Sequence, residues 1–232
     1  MKNVIVIISL LTVLLSCKKD TNTMLVTGNI KGLHQGTLYL EKVKDTLLVK
    51  VDSIKLEGNG NFTLTDEVKS AQIYFLSLAK SDKILQFFGE NGNINIITEL
   101  DEFGFKPVIT GSKNHDLMNK YKETISKFNN QKLEWIKEKF DASKTKNDNK
   151  VAEFNKKINN IPRRIYLYTA NFAVNHADYE IAPYLALSEI YDATPKLLDT
   201  ITKSMSPSVK KSIYGKKLMD YMKKVNAKNN LK

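Results

Sequence analysis

The chain has 232 residues, and its hydrophobic fraction of 42% is enough for a real core, so the composition excludes a disordered chain. It has a formal net charge of +11 and a single cysteine, Cys17. If Cys17 is modified, the folded part has no thiol, which excludes disulfides, zinc–thiolate sites and cysteine nucleophiles together.

The first 16 residues have the features of a secretory signal peptide. Lys2 provides the positive start, Val4 to Leu15 form a short apolar run, and the small residue Ser16 precedes the expected cut. As a helix, a run of this length rises only about 18 Å. The hydrocarbon core of a bilayer is about 30 Å thick, so we predict a cleaved signal peptide over residues 1–16 rather than a transmembrane helix.

The segment Leu14-Leu15-Ser16-Cys17 resembles the lipobox of bacterial lipoproteins. The resemblance implies that Leu14, Leu15 and Ser16 are recognition positions and that Cys17 is lipidated. Residues 17–23 would then be a short polar tether. We expect a lipid anchor in the cell envelope, in the outer membrane of a Gram-negative bacterium, with the folded part in the periplasm or at the cell surface. The alternative is an ordinary signal peptide with a chance cysteine.

Residues 24–112 have the alternation and turn chemistry of a β domain. The segment 93–98, NINIIT, alternates apolar and polar residues at period two. Gly58-Asn59-Gly60-Asn61 and Asn91-Gly92 predict hairpin turns, because Gly and Asn accept positive φ at low cost. We predict an antiparallel β-sandwich, jelly-roll-like, of eight short strands. The predicted strands are 24–30, 36–43, 47–56, 61–65, 71–78, 84–89, 93–98 and 107–110.

Residues 113–232 change to helical spacing, so the predicted fold class is α+β, with a helical region after the β domain. Apolar residues predict one helix over 115–140, and the polar segment 141–149 predicts a loop. A second helix is predicted over 150–177, where Pro162 is expected to kink it or to start a new helix. Shorter helices are predicted over 181–191, after Pro195, after Pro207, and over 216–225 behind Gly215.

The positive charge lies in the second half of the chain. Residues 113–232 contain 24 Lys and Arg against 13 Asp and Glu, whereas residues 18–112 are close to neutral. In an exported protein this excess indicates anionic lipid headgroups or acidic glycans as partners rather than nucleic acid. The alternative is a lysine-rich helical face that only contacts water.

The order of elements in the β part resembles the domain of unknown function DUF4369. The resemblance rests on residues 26–33 (VTGNIKGL), Asp52-Ser53 with 58–62 (GNGNF), 88–92 (FGENG) and 108–112 (VITGS). That domain usually stands in lipoproteins that end in a thioredoxin-like thiol–disulfide oxidoreductase. Segments 178–185, 206–212 and 214–218 resemble the helical linker between the two. We expect no thioredoxin-like domain here, since its Cys-x-x-Cys motif is missing.

No catalytic or metal-binding constellation is apparent in the sequence. The histidines His34, His115 and His176 do not stand at metal-ligand spacing, and no nucleophile elbow or phosphate-binding loop is present. We therefore predict no catalytic residue, no metal and no cofactor. Aromatic residues in the helical half predict core packing. The alternative is a binding surface in which Arg163, Arg164 and Tyr166 combine cations and rings.

These observations favour a membrane-anchored envelope lipoprotein that acts as a binding or scaffolding module and is not an enzyme. Its partner would be an envelope protein or an anionic lipid or glycan. The alternative is an accessory or degenerate partner of a thioredoxin-like thiol–disulfide system.

Overall fold

The computed structural model describes residues 22–229 of the chain. The predicted signal peptide, Leu14, Leu15, Ser16 and Cys17 lie outside the described residues. The strands are β1 (Thr23–Lys31), β2 (Gln35–Lys44), β3 (Leu47–Glu57), β4 (Asn61–Glu67), β5 (Gln72–Leu78), β6 (Ile84–Gly89), β7 (Gly92–Glu99) and β8 (Val108–Thr110). The helices are α1 (Lys113–Lys144), α2 (Asp148–Asn175), α3 (Ile181–Ser188), α4 (Pro195–Ser204), α5 (Pro207–Lys211) and α6 (Ile213–Asn229). Within residues 22–229, no helix combines the length and apolar character that a membrane span requires.

The strands form two four-stranded sheets, ordered β4-β1-β7-β8 and β3-β2-β5-β6. Apolar residues of both sheets share one buried cluster, which includes Val26, Leu64 and Ile94 from the first sheet and Leu38 and Leu76 from the second. The predicted α+β fold with an N-terminal β-sandwich is therefore confirmed. One strand pair departs from the antiparallel prediction, because β1 and β7 run parallel. The chain crosses from β6 in the second sheet to β7 in the first, so β7 starts beside the start of β1.

Alternation of side chains explains why these segments become strands with one buried face. In β7 the burial pattern alternates, with Ile94, Ile96 and Thr98 buried and their neighbours exposed. Successive side chains of a strand point to opposite faces, so a slip of one residue would expose all three. Gly28 in β1 shows how closely the backbones approach, since an added Cβ would lie 1.9 Å from the Ile96 carbonyl oxygen.

Both predicted hairpin signals are turns, but neither forms a hairpin. Gly58-Asn59-Gly60 connects β3 in the second sheet to β4 in the first, and Asn91-Gly92 lies where β6 is followed by β7 in the other sheet. Gly60 has φ +71°, and an added Cβ would lie 2.3 Å from the Ile30 carbonyl oxygen. Gly60 is thus required where the chain crosses from one sheet to the other. A two-residue hairpin lies instead at Asp45-Thr46, between the paired residues Lys44 and Leu47.

Helices α1 and α6 are longer than predicted, whereas α3 ends at Ser188 rather than at residue 191. Residues 141–144 continue α1, so the predicted loop 141–149 shrinks to residues 145–147. Pro162 lies inside α2 and starts no new helix. Pro162 removes one helical hydrogen bond, yet its neighbours are held in place, since Ile161 is buried and Arg164 donates to Gln131 of α1. Gly215 lies inside α6 rather than before it.

The sheet-facing ends of the long helices pack on the outer face of the second sheet. Phe88 and Ile73 of this sheet share a buried cluster with Leu117 of α1, Phe172 of α2 and Leu185 of α3. We call this cluster the sheet–helix interface. Polar contacts extend it, because Glu90 accepts hydrogen bonds from the start of α1 and the Asn114 Oδ1 accepts one from the Ile181 N–H at 2.9 Å. The β-sandwich and the helices therefore share a core.

Candidate functional site

A cleft opens beside the sheet–helix interface, where β2 and β4 meet α6. Its volume is about 500 Å³. The walls come from segments far apart in the chain, because β2 and α6 are separated by most of the described residues. The cleft is lined by Lys42, Val43, Lys44, Asp45, Asp66, Glu67, Lys69, Gln72, Ile213 and Lys217.

An apolar pocket of about 270 Å³ continues from the cleft toward the interface. Phe75, Tyr184 and Tyr214 line it, and it shares Val43 and Ile213 with the cleft. Tyr214 is fixed in place, because its hydroxyl accepts a hydrogen bond of 3.0 Å from the Ile73 N–H. Burial raises the pKa of Tyr214 to about 12, so the ring keeps a neutral hydroxyl. Together the two cavities offer a charged mouth and an apolar interior.

A largely buried ion pair between Lys42 and Asp66 forms one wall of the cleft. The Tyr74 hydroxyl donates to the same Asp66 Oδ2 at 2.6 Å, and Gln72 Nε2 contacts the Tyr74 hydroxyl at 3.5 Å. Burial, followed by the hydrogen bond to Asp66, raises the pKa of Tyr74, so this phenol stays a donor. These groups satisfy one another, which gives the wall a defined shape. The exposed charged side chains of the cleft are Lys44, Asp45, Glu67, Lys69 and Lys217.

The predicted residues Arg163, Arg164 and Tyr166 are not brought together. Arg163 lines a shallow depression on α2 with Lys156, whereas Arg164 lies over the Phe128 ring of α1 at 5.0 Å. The Tyr166 hydroxyl donates to Asp192 at 2.6 Å. Each side chain therefore has a different surrounding, and none lines the cleft.

The aromatic residues of the helical half mostly form core, in line with the prediction. Tyr168 stacks on Tyr121 at 5.8 Å, and Phe172 packs edge-on against Tyr121 at 5.5 Å. Tyr184 and Tyr214 also contribute to the cavities, because both lie against Phe88 and in the wall of the apolar pocket. Tyr191 is exposed.

The three histidines occupy unrelated places. The His34 Nδ1 lies 3.0 Å from the Gly58 carbonyl oxygen in a turn, and His176 ends α2 with its ring 4.4 Å from that of Phe172. His115 is buried at the sheet–helix interface, where its Nδ1 accepts from the Phe88 N–H at 3.3 Å. Among residues 22–229, no group of three or more His, Cys, Asp or Glu side chains is arranged to hold a metal ion.

The cleft was not found from the sequence. Lys42, Asp66 and Lys217 belong to three elements, and none of them stands in a recognisable motif. The one local signal is the end of β2, where Val43 and Lys44 place an exposed apolar residue next to a charge at the hairpin tip. That pattern is too common at hairpin ends to indicate a site.

Residues 24–118 match the family model described as Domain of unknown function (DUF4369). The match covers all eight strands and extends into the first turns of α1, so it includes Asn114 and His115 of the sheet–helix interface. No other domain is detected in the chain. No curated protein matches it. The β-rich part of this chain, residues 24–118, is therefore similar to the DUF4369 family.

Proposed function

We propose that this chain is a lipid-anchored envelope protein whose folded part is a binding or scaffolding module without catalysis of its own, and that the cleft is its binding site. The observation that carries the proposal is the cleft itself. It joins a mouth with exposed lysines to an apolar pocket, the combination that holds amphipathic ligands or partner side chains.

A photo-crosslinker placed at Val43 in the full chain tests the cleft in native membranes. We expect a discrete adduct from this position, because Val43 lines both the cleft and the apolar pocket. Leu167 on α2 is the matched control, since the two residues are 43% and 46% exposed and Leu167 lines neither cavity. Adding Lys217→Glu, which reverses a charge in the wall, should weaken the adduct. Identical adducts from both positions, or none from Val43, would contradict the proposal.

The anchor rests on the lipobox resemblance of Leu14-Leu15-Ser16-Cys17. Cells fed a palmitate analogue should label the full chain, and Cys17→Ala should abolish the label because the acceptor thiol is gone. Ser16→Gly keeps a small residue before the cut and should retain the label. Labelling that persists in Cys17→Ala would rule out the anchor at this residue.

The DUF4369 match favours a second candidate function, a thiol-free accessory of a thioredoxin-like system. In the relatives that the sequence resembles, this domain accompanies a thiol–disulfide oxidoreductase. The chain has only one cysteine, so it lacks the resolving thiol that disulfide exchange uses. The full chain should therefore not accelerate the reduction of insulin disulfides by dithiothreitol. Turnover above the blank would overturn the absence of catalysis in both candidates.

A further inference from the structure

The loop-proximal part of the α1–α2 hairpin leaves the rest of the fold. The buried residues of α1 are confined to its first turns, up to Tyr121, and to Ala142 near its end. In α2 the buried residues begin at Ile161. We call residues 122–160 the arm. Its two helices touch through contacts such as Lys139 Nζ with Asn155 Oδ1 at 3.0 Å.

One face of α1 in the arm exposes large apolar side chains to water. Leu133, Ile136 and Phe140 are 63%, 42% and 59% exposed. A helix turns about 100° per residue, so these three positions fall within an arc of about 60°. The face that meets α2 lies elsewhere on the helix, because Phe128, Trp135 and Ala142 share a different arc, about 120° away. The three exposed residues are therefore not part of the contact between the helices.

Lysines flank this apolar stripe on both sides, and acidic residues lie away from it. By the same helical geometry, Lys137 and Lys144 lie on one side and Lys132 on the other, each about 50–75° from the stripe centre. Glu134 and Glu138 lie more than about 120° away. Asp141 lies about 110° away and pairs with Lys144 at 3.9 Å. Among the described residues, Lys132 and Lys137 form no salt bridge. The whole arm has ten Lys and six Asp or Glu.

We propose that this face of α1 binds the surface of an anionic lipid bilayer. An apolar stripe with lysines at its margins is the arrangement by which an amphipathic helix lies in the headgroup region. A second copy suits the face poorly, because two arms with an excess of lysines repel each other. Three side chains also fall short of the roughly 1,200–2,000 Å² that stable protein interfaces bury.

The proposal adds a second membrane contact to the proposed envelope location, on which it rests. The lipid on Cys17 would keep the chain at the bilayer, and the arm would set the orientation of the fold against it. Each lysine near an anionic surface contributes enough attraction to change the ratio of docked to free arm about fivefold.

A single tryptophan reports the contact. Trp135 is the only tryptophan of the chain, so Trp135→Phe with Phe140→Trp moves the reporter onto the stripe. The full chain is reconstituted into vesicles of brominated phosphatidylcholine, with or without phosphatidylglycerol. We expect bromine to quench the reporter only when phosphatidylglycerol is present. Quenching should disappear near 1 M salt, where the Debye length is about 3 Å.

Charge reversal and a distant reporter provide the controls. Lys132→Glu with Lys137→Glu and Lys144→Glu should remove the quenching, whereas Lys196→Glu with Lys211→Glu and Lys224→Glu, the same change in net charge outside the arm, should leave it. A reporter at the exposed Phe105, made as Phe105→Trp with Trp135→Phe, should stay unquenched. No quenching at position 140, equal quenching in neutral vesicles, or equal quenching at position 105 would overturn the proposal. So would a spectral shift at position 140 that grows with protein concentration in detergent, the signature of a second copy.

Flotation of the same samples separates this proposal from the anchor. A chain that floats with both kinds of vesicle but shows no quenching at position 140 would support the anchor and contradict the arm contact. A chain that floats only with anionic vesicles and is quenched would support the arm contact and contradict the anchor.

Discussion

Phe88→Ala is expected to lower the free energy of unfolding of the full chain by about 3–5 kcal/mol, the typical cost of removing a buried phenylalanine ring. Phe88 is fully buried. It lies in β6 but faces the helices, whereas its neighbour Phe87 packs into the sandwich core against Tyr74 at 5.8 Å. The ring of Phe88 thus belongs to the sheet–helix interface.

The expected cost is large because the cavity cannot easily close. The Phe88 ring packs edge-on against Tyr184 at 5.5 Å and against Tyr214 at 6.1 Å, and these two rings lie 5.2 Å apart. The Tyr214 hydroxyl is also held by the Ile73 N–H. Rings fixed in this way relax little into a void. The variant therefore loses the transfer free energy of the ring and also carries the cost of the remaining cavity.

Urea denaturation of Phe88→Ala and of the control Phe105→Ala measures the effect. Phe105 is 76% exposed, so its truncation should change the free energy of unfolding by no more than about 0.5 kcal/mol. The two variants remove the same atoms, and only burial differs. A Phe88→Ala chain that unfolds at the wild-type urea concentration would show that the helices do not depend on this contact.

Acidification is expected to destabilise the fold through His115. Burial, together with the charge of Lys122, lowers the pKa of His115 to about 4, against the partial opposition of Asp116. Its ordinary pKa is about 6.5. The folded chain therefore keeps the imidazole neutral over a pH range in which the unfolded chain protonates it.

The sign of this pH dependence follows from the number of protons that the folded and unfolded states bind. Between about pH 6.5 and pH 4 the unfolded state binds one proton more at this residue, so the stability falls as the pH falls through this window. The loss is about 2 kcal/mol at pH 5 and about 3 kcal/mol at pH 4, and it changes little at lower pH. Above about pH 7 His115 contributes no pH dependence.

His115→Asn is the matched variant. The Asn Oδ1 stands near the place of the imidazole Nδ1, so it can still accept from the Phe88 N–H, but it does not titrate. Urea unfolding of both proteins from pH 7.5 to pH 4 should give curves that diverge below pH 6.5, with the variant less sensitive to acid. Parallel curves would mean that His115 is protonated in the folded chain without penalty.

The periodicity of apolar residues predicts the strands and the presence of most helices. Segments such as 84–89 and 47–56 fell within one residue of β6 and β3, because alternation and turn residues are local properties of the chain. Helix ends were less predictable. The mainly polar segment 141–149 predicts a loop, but residues 141–144 continue α1, where Ala142 is buried. The next helix already begins after its cap residue Asn147.

The cleft and the arm are products of tertiary packing. Lys42 and Lys217 line one cleft because α6 packs on the second sheet, to which β2 belongs, and nothing within either segment indicates the other. The stripe of Leu133, Ile136 and Phe140 is visible as apolar spacing, but the same spacing is expected of a core face. Only the position of α2, which covers a different side of α1, leaves the stripe in water.

The sequence by itself determined the signal-like start with Cys17, the α+β order of elements, the β-sandwich and the resemblance to DUF4369, since each follows from neighbouring residues. Tertiary structure alone decided that the Gly58–Gly60 turn crosses between sheets, that β1 and β7 run parallel, and that Phe88, His115 and Tyr214 join the β domain to the helices. The physical reason is that sequence patterns specify which face of an element is apolar. Which other element covers that face depends on the packing of the whole chain.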